Sequence, residues 1–416
     1  MPKQPSSNLP QPFFELDNAE RDSVGLDPVE PHWTRVMFKD TVAFFDGGTL
    51  RKFLRAGADG YLEVDTLLET RERAFLLPKT SRGKERKISA AVLLMTERAN
   101  GRWFQASFIG ERLKESDVSA LNTRNMRAID FWQDGSLHNH AELRVYLRAR
   151  MQRISDGLHQ EIAEMKSAPR QQLKYRPGDV FRFRIDDTRY GFGLLLGSLK
   201  EIRAAGLLPQ DHPWHYVMSV PLIVRLFDGA SADPHPGVEA LSAWPLLPAQ
   251  TMMDNQLFWG GFPVIGRKAL VPGDIDFPCG VGTAPTQEGH AFFYWGFGWH
   301  RLADAAIGDE TDSGMGIGML DRTPLQEALA GRVPGRPWEL RHPEHAATFK
   351  RVLAEIGCDG VADYAAYAQW AGSLSPEAFI AQMQPAEPTL KNKPKSKPKS
   401  KPKAKPQAKR APKANT

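Results

Sequence analysis

Cysteine is almost absent: Cys279 and Cys358 are the only two in 416 residues. They lie about eighty positions apart without metal-ligand spacing, which excludes a disulfide framework and fits a reducing cytoplasm. No run approaches the roughly eighteen apolar residues that a membrane helix needs. The opening residues also lack a basic stretch followed by an apolar one, so no secretory signal is read. A soluble, cytoplasmic protein without a membrane partner is therefore expected. Catalytic signatures are missing too: there is no G-x-S-x-G elbow, no H-E-x-x-H helix, no dinucleotide fingerprint and no phosphate-loop spacing. His138, Asn139 and His140 spell HNH, but they precede a plain amphipathic pattern and read as a helix start. His212 and His215 flank Pro213 and Trp214 with too few further ligands for zinc, and Asp233 and His235 fall in a proline-rich turn. No catalytic residue, metal or cofactor is expected, and the chain reads as a binding protein rather than an enzyme.

Acidic residues are absent from one end. From Lys391 to Thr416 there are eleven Lys or Arg and no Asp or Glu, so the net charge of +5 leaves 5 − 11 = −6 for residues 1–390. A Lys/Pro tract with almost nothing apolar cannot offset the entropy of ordering, and residues 386–416 are expected to be a disordered, extended arm. Its two readings are nonspecific contact with nucleic acid or an acidic partner and a solubilising appendage. The basic loop from Lys79 to Lys87 adds a second candidate phosphate contact, although solvated loops beside strands look the same.

What is present is enough apolar and aromatic material, 41% and 10% of residues, for more than one core at this length. Residues 1–30 read as a flexible polar segment and 31–138 as an α+β module. The module is expected to hold the strand region VMFKDTVAFF, a helix over TLRKFLRAG after the Gly47-Gly48 turn, and strands over AAVLLM and RWFQASFI. Residues 139–168 predict one long amphipathic helix, because Leu143, Leu147, Met151, Ile154, Leu158, Ile162 and Met165 recur at spacings of three and four. Packing on a domain and a coiled-coil seam are the two uses of that stripe.

Residues 172–320 are strand-rich. After Pro177 and Gly178, Phe181, Phe183 and Ile185 alternate with Arg182 and Arg184, whose face is read as wet. Asp186, Asp187 and Thr188 supply a turn of roughly three to four residues, and Tyr190, Phe192, Leu194 and Leu196 resume the alternation. Gly191 and Gly193 share one face of that second strand, which marks close approach of another backbone, a bulge or strong coiling into a barrel. SVPLIVRLF, FPVIGRKAL and HAFFYWGFGWHRL are further strand candidates, giving a curled antiparallel sheet of five or more strands or a small barrel. Trp214 and Trp259 in this region read as core or, as exposed aromatics, as partner contacts. Residues 321–385 predict helices started at Thr323-Pro324 and Ser375-Pro376 that cover an open face or edge of the sheet. The fold class is thus multi-domain α+β.

Tyr175, Gly178, Asp179, Phe181 and Asp187, with the run Tyr190, Gly191, Phe192 and Gly193, resemble the immunity protein 26 family, in which a GD-x-F strand is followed by a YGFG strand. That pattern usually continues with a basic residue, where this chain has Leu194. The resemblance implies an antidote of a bacterial polymorphic toxin system, with a cognate toxin encoded nearby as partner. It assigns Gly178, Asp179, Phe181, Tyr190, Gly191, Phe192 and Gly193 to the scaffold, and leaves Asp186, Asp187, Trp214 and Trp259 as candidate partner contacts. An acidic body suits the masking of a basic toxin. The alternative function is nucleic-acid association through the basic arm and loop.

Overall fold

The computed structural model describes residues 13–38, 41–70, 76–77, 86–87, 101–110, 115–132, 136–217, 219–283, 291–303, 318–334 and 339–384. The chain is α+β with open antiparallel sheets. The expected strand over AAVLLM, the loop residues 79–85 and the arm 386–416 lie outside the described residues.

The first sheet is an antiparallel meander of β1 (Thr34–Phe38), β2 (Thr41–Asp46), β3 (Thr49–Gly57), β4 (Gly60–Glu69), β7 (Arg102–Ser107), β8 (Asp117–Asn122) and β9 (Arg127–Asp130). The short pair β5 (Leu76–Leu77) and β6 (Arg86–Lys87) stands apart from it. TLRKFLRAG is strand β3, not the expected helix. Both faces of this sheet are buried, so apolar residues fall on both sides of β3. A bulge between Leu50 and Lys52 then breaks the period of two, and the result mimics helical spacing.

Two helices, α2 (His140–Met151) and α3 (Asp156–Ser167), cover one face through Leu143, Leu147, Leu158, Ile162 and Met165. The single expected helix is interrupted because Ser155 starts a new one, its hydroxyl accepting from the Leu158 amide at 3.3 Å. Asn139 caps α2 in the same way, which is the helix start expected of the HNH triplet. Residues 13–30, expected to be loose, pack instead: they hold helix α1 (Asn18–Ser23) and bury Leu16, Val24 and Leu26 in the same core.

The middle region is a five-stranded open sheet in the order β13 (Gln250–Met253), β12 (Pro221–Leu226), β11 (Tyr190–Ser198), β10 (Asp179–Arg184), β14 (Val264–Arg267). Only the core of FPVIGRKAL is strand. The expected strand HAFFYWGFGWHRL is a hairpin, β16 (Ala291–Trp295) and β17 (Gly298–Arg301), which joins β15 (Cys279–Thr283) in a separate three-stranded sheet. Short helices α4 (Leu199–Ala204), α5 (Val238–Ser242) and α6 (Asn255–Phe258) fill the connections.

Phe192, Leu194 and Ile223 face a core shared with Phe293, Trp295 and the C-terminal helices α8 (Ala346–Glu355), α9 (Tyr364–Ala371) and α10 (Pro376–Met383). Phe181, Phe183 and Leu195 face a second core that includes Leu325 of α7 (Thr323–Leu329). Ser375 caps α10 as expected, whereas Thr323 is already the first residue of α7, preceded by Arg322 at the cap position.

His212, read as a poor zinc ligand, is a structural imidazole. It is fully buried, donates from Nε2 to the Gly296 carbonyl at 3.0 Å and accepts the Trp214 amide at Nδ1 at 3.1 Å. The bond at Nδ1 requires the neutral ring, since a protonated Nδ1 would meet the Trp214 N–H head on. Burial therefore pushes its pKa down to about 4. The folded pKa lies below the unfolded one, so this stability is complete above about 6.5 and is lost as pH falls toward 4. Urea unfolding at pH 5 should show a loss of about 2 kcal/mol from this group relative to pH 7. A His212→Gln chain should lack that part of the acid loss; an identical pH dependence in both chains would refute the assignment.

Candidate functional site

The hairpin β10–β11 opens on a turn that only its own residues can make. Gly178 has φ +90 and a side chain there would run into the Lys268 carbonyl, while its N–H donates to the Leu195 carbonyl at 2.7 Å and its carbonyl accepts from Lys268 at 2.8 Å. Asp179 is buried and its carboxylate accepts from the Arg176 amide at 2.8 Å, closing the turn; burial raises its pKa. The end of α10 is tied to the same turn, as the Gln384 side chain donates to the Pro177 carbonyl at 2.7 Å and accepts from the Leu270 amide at 3.1 Å.

The register then explains the glycines. Phe183 pairs with Gly191 and Phe181 with Gly193. Each ring lies over the glycine opposite it: an added Cβ at Gly191 would fall 2.6 Å from Phe183 Cζ and 2.7 Å from Leu325, and one at Gly193 would collide with Phe181 Cζ and lie 2.8 Å from both Cε atoms. Phe181 in turn stacks on Phe262, 5.9 Å between centroids and 5° between planes. On the opposite face Phe192 and Leu194 are fully buried. A basic residue in place of Leu194 would enter an apolar core.

The expected wet arginine face is covered. Arg184 is buried, its Nε donating to Glu161 at 2.7 Å and its other nitrogens to the Asp187 carbonyl and the Tyr190 hydroxyl. Arg182 is half-buried and donates to the Pro234 carbonyl at 3.1 Å, with His235 at 2.6 Å. Glu161 belongs to α3, and Gly157 on the same helix leaves the space that the Tyr190 hydroxyl occupies.

Asp187, expected as a partner contact, is buried: its carboxylate meets Arg150 Nε at 3.1 Å, and its carbonyl accepts from Ser155 at 3.2 Å. Arg150, fully buried on α2, also donates to the Ser23 carbonyl at 2.9 Å and lies 4.4 Å from the Phe131 ring centroid. The hairpin tip is therefore plugged into the pair of helices α2 and α3. A second pair, Arg322 with Asp130 at 2.6 Å, joins α7 to β9. A polar cleft at this joint is lined by Arg127, Asp130, Glu161, Arg182, Arg184 and Phe262. Its cations are committed to carboxylates or carbonyls of the joint itself, as with Arg127 and Glu164 at 2.6 Å.

Trp214, the other expected contact that fails on burial, is 2% exposed and packs on Phe297 and His212. Asp186 and Trp259 are half-buried and keep part of their surface open. Partial burial pushes the Asp186 carboxyl up, but hydrogen bonds from Thr188 and Arg189 outweigh it and hold it below its usual value. Trp259 carries Arg170 over its ring at 4.0 Å. Sequence reasoning missed Arg150 and Glu161. The one available signal was position, because Arg150 stands three residues after Leu147 on the inward side of α2.

Among the described residues no cluster of His, Cys, Asp and Glu is arranged to hold a metal. None of the helices formed by these residues is long and apolar enough to cross a membrane. No curated protein and no solved structure matches the chain. Residues 176–281, from the GD turn to β15 and about a quarter of the chain, match the family model described as immunity protein 26, and it is to this family that the middle region is similar.

Proposed function

We propose that this chain is an immunity protein, a non-enzymatic binder that neutralises a cognate bacterial toxin encoded nearby. The observation that carries the reading is the family match over residues 176–281. The geometry supports a division of labour within it. Gly178, Asp179, Phe181, Gly191, Phe192 and Gly193 are buried and hold the sheet together, and Tyr190 anchors the hairpin to α3. Recognition then falls to the surface around it, with the half-buried Asp186 and Trp259 as the retained candidates. Occlusion by a preformed surface, aided by the net negative charge of residues 1–390, is the mechanism this reading implies. It would operate in the cytoplasm, where Cys279 and Cys358 stay reduced.

Co-expression with the product of the neighbouring gene tests it. Growth rescue together with co-purification is the expected result. A chain that neither rescues nor co-purifies is not that toxin's antidote. Asp186→Ala and Trp259→Ala should weaken co-purification while leaving thermal unfolding near its original midpoint.

A further inference from the structure

Residues 13–30 carry six acidic side chains and one arginine. Five of the six acids meet a cation of the module beneath. Glu15 pairs with Arg35 at 2.6 Å, Asp17 with Arg148 at 3.5 Å, Glu20 with Arg144 and Arg148 at 3.1 Å each, Asp22 with Lys166 at 2.8 Å, and Asp27 with Arg102. The cations come from β1, β7, α2 and α3, so the track crosses the sheet and both helices. Leu16, Val24 and Leu26 of the segment are almost wholly buried in the module's core. The segment adds no strand to the sheet, and among the described residues its one backbone-to-backbone hydrogen bond to the module is the local one from the Trp33 amide to the Glu30 carbonyl at 3.0 Å. Beyond the ion pairs above, the segment's single arginine, Arg21, meets buried Glu63 at 2.7 Å. Side chains of the module also bond its backbone: Asp65 accepts from the Asp27 amide at 2.7 Å and Arg150 donates to the Ser23 carbonyl at 2.9 Å, on a sheet whose own ladder is complete without the segment.

We propose that the strip beneath residues 13–30 is a docking groove for an acidic, amphipathic polypeptide segment of a partner protein, and that residues 13–30 are its resident occupant. The apolar sockets of Leu16, Val24 and Leu26 fit a peptide better than a phosphate backbone, which would leave them empty. Tethering gives the resident segment a high effective concentration, so an incoming segment gains access only when it binds better or when the resident is weakened. The groove belongs to the first module and stands whether or not the middle region neutralises a toxin.

The experiment uses the full chain and a fluorescein-labelled peptide with the sequence of residues 13–30. In the chain carrying Glu15→Gln, Asp17→Asn, Asp22→Asn and Asp27→Asn, the resident segment keeps its apolar anchors but loses most of its charge. That chain should bind the peptide at least about tenfold more tightly than the unaltered one. Adding Arg144→Glu and Arg148→Glu should abolish the gain. Equal affinity in the two chains, or binding that survives the charge reversal, overturns the proposal. Displacement of the peptide by duplex DNA also overturns it, since the ligand class would then be nucleic acid. A second measurement needs no substitution: saturating peptide should speed amide exchange at Arg21 and Leu26, whose N–H groups donate to Asp17 and Arg21 within the resident segment. Unchanged exchange there overturns the proposal as well.

Discussion

Replacing Gly191 and Gly193 together by alanine is expected to destabilise the chain by about 5 kcal/mol, enough to unfold a domain of ordinary stability. The two methyl groups would clash with atoms of the Phe183 and Phe181 rings. Neither ring can yield easily, as both are buried and both pack against Phe262. Phe181→Leu should act in the opposite sense to its usual effect. Alone it leaves a gap and costs about 1 kcal/mol; in a Gly193→Ala background it should recover part of the loss by making room. Denaturant unfolding of the four chains reads the coupling directly. Additive costs, with no rescue, would show that the ring-over-glycine packing is not what fixes these glycines.

Lys52→Met should cost about 3 to 5 kcal/mol at neutral pH, the range for breaking a buried ion pair by removing one partner. Lys52 has no exposed surface and its ammonium bridges Glu63, at 2.8 Å, and Asp65. Burial alone would raise the Glu63 pKa, but Lys52 and Arg21 outweigh it and hold it below the usual range. Asp65 is the reverse case, with burial prevailing over Lys52 and Arg102 so that its pKa is raised. Without the ammonium both carboxyls move upward. The cost of Lys52→Met is therefore greatest where they must stay ionised and shrinks as pH falls and they take up protons. Urea midpoints for both chains at pH 7.5 and pH 5 check this. A cost below about 1 kcal/mol, or one that does not shrink in acid, would mean that Arg21 and Arg102 suffice for the two carboxylates.

Much of the middle region was legible because its physics is local. Alternation of Phe181 and Phe183 with arginines, turn chemistry at 186–188 and the two glycines define an antiparallel hairpin whatever surrounds it. The closest misreadings share one cause, which is burial on both sides. TLRKFLRAG lost its strand period to a bulge in a sheet covered on two faces. Arg184 and Asp187 read as solvated because charge normally marks the wet face, yet α2 and α3 supply Arg150 and Glu161 at the positions that neutralise them. Those partners lie 23 and 37 residues away along the chain, beyond the reach of any periodicity argument.

The sequence by itself determined the α+β class, the hairpin, the family likeness of the middle region and the helical end, since each rests on neighbours within a few residues. Only the tertiary structure decided which charges meet. It turned the hairpin tip from a candidate recognition surface into a buried contact with α2, and turned residues 13–30 from a loose segment into one packed through apolar side chains and ion pairs. The physical reason is the same in both cases. A charge is tolerated inside only beside its counter-charge, and chain folding, not local spacing, brings the two together.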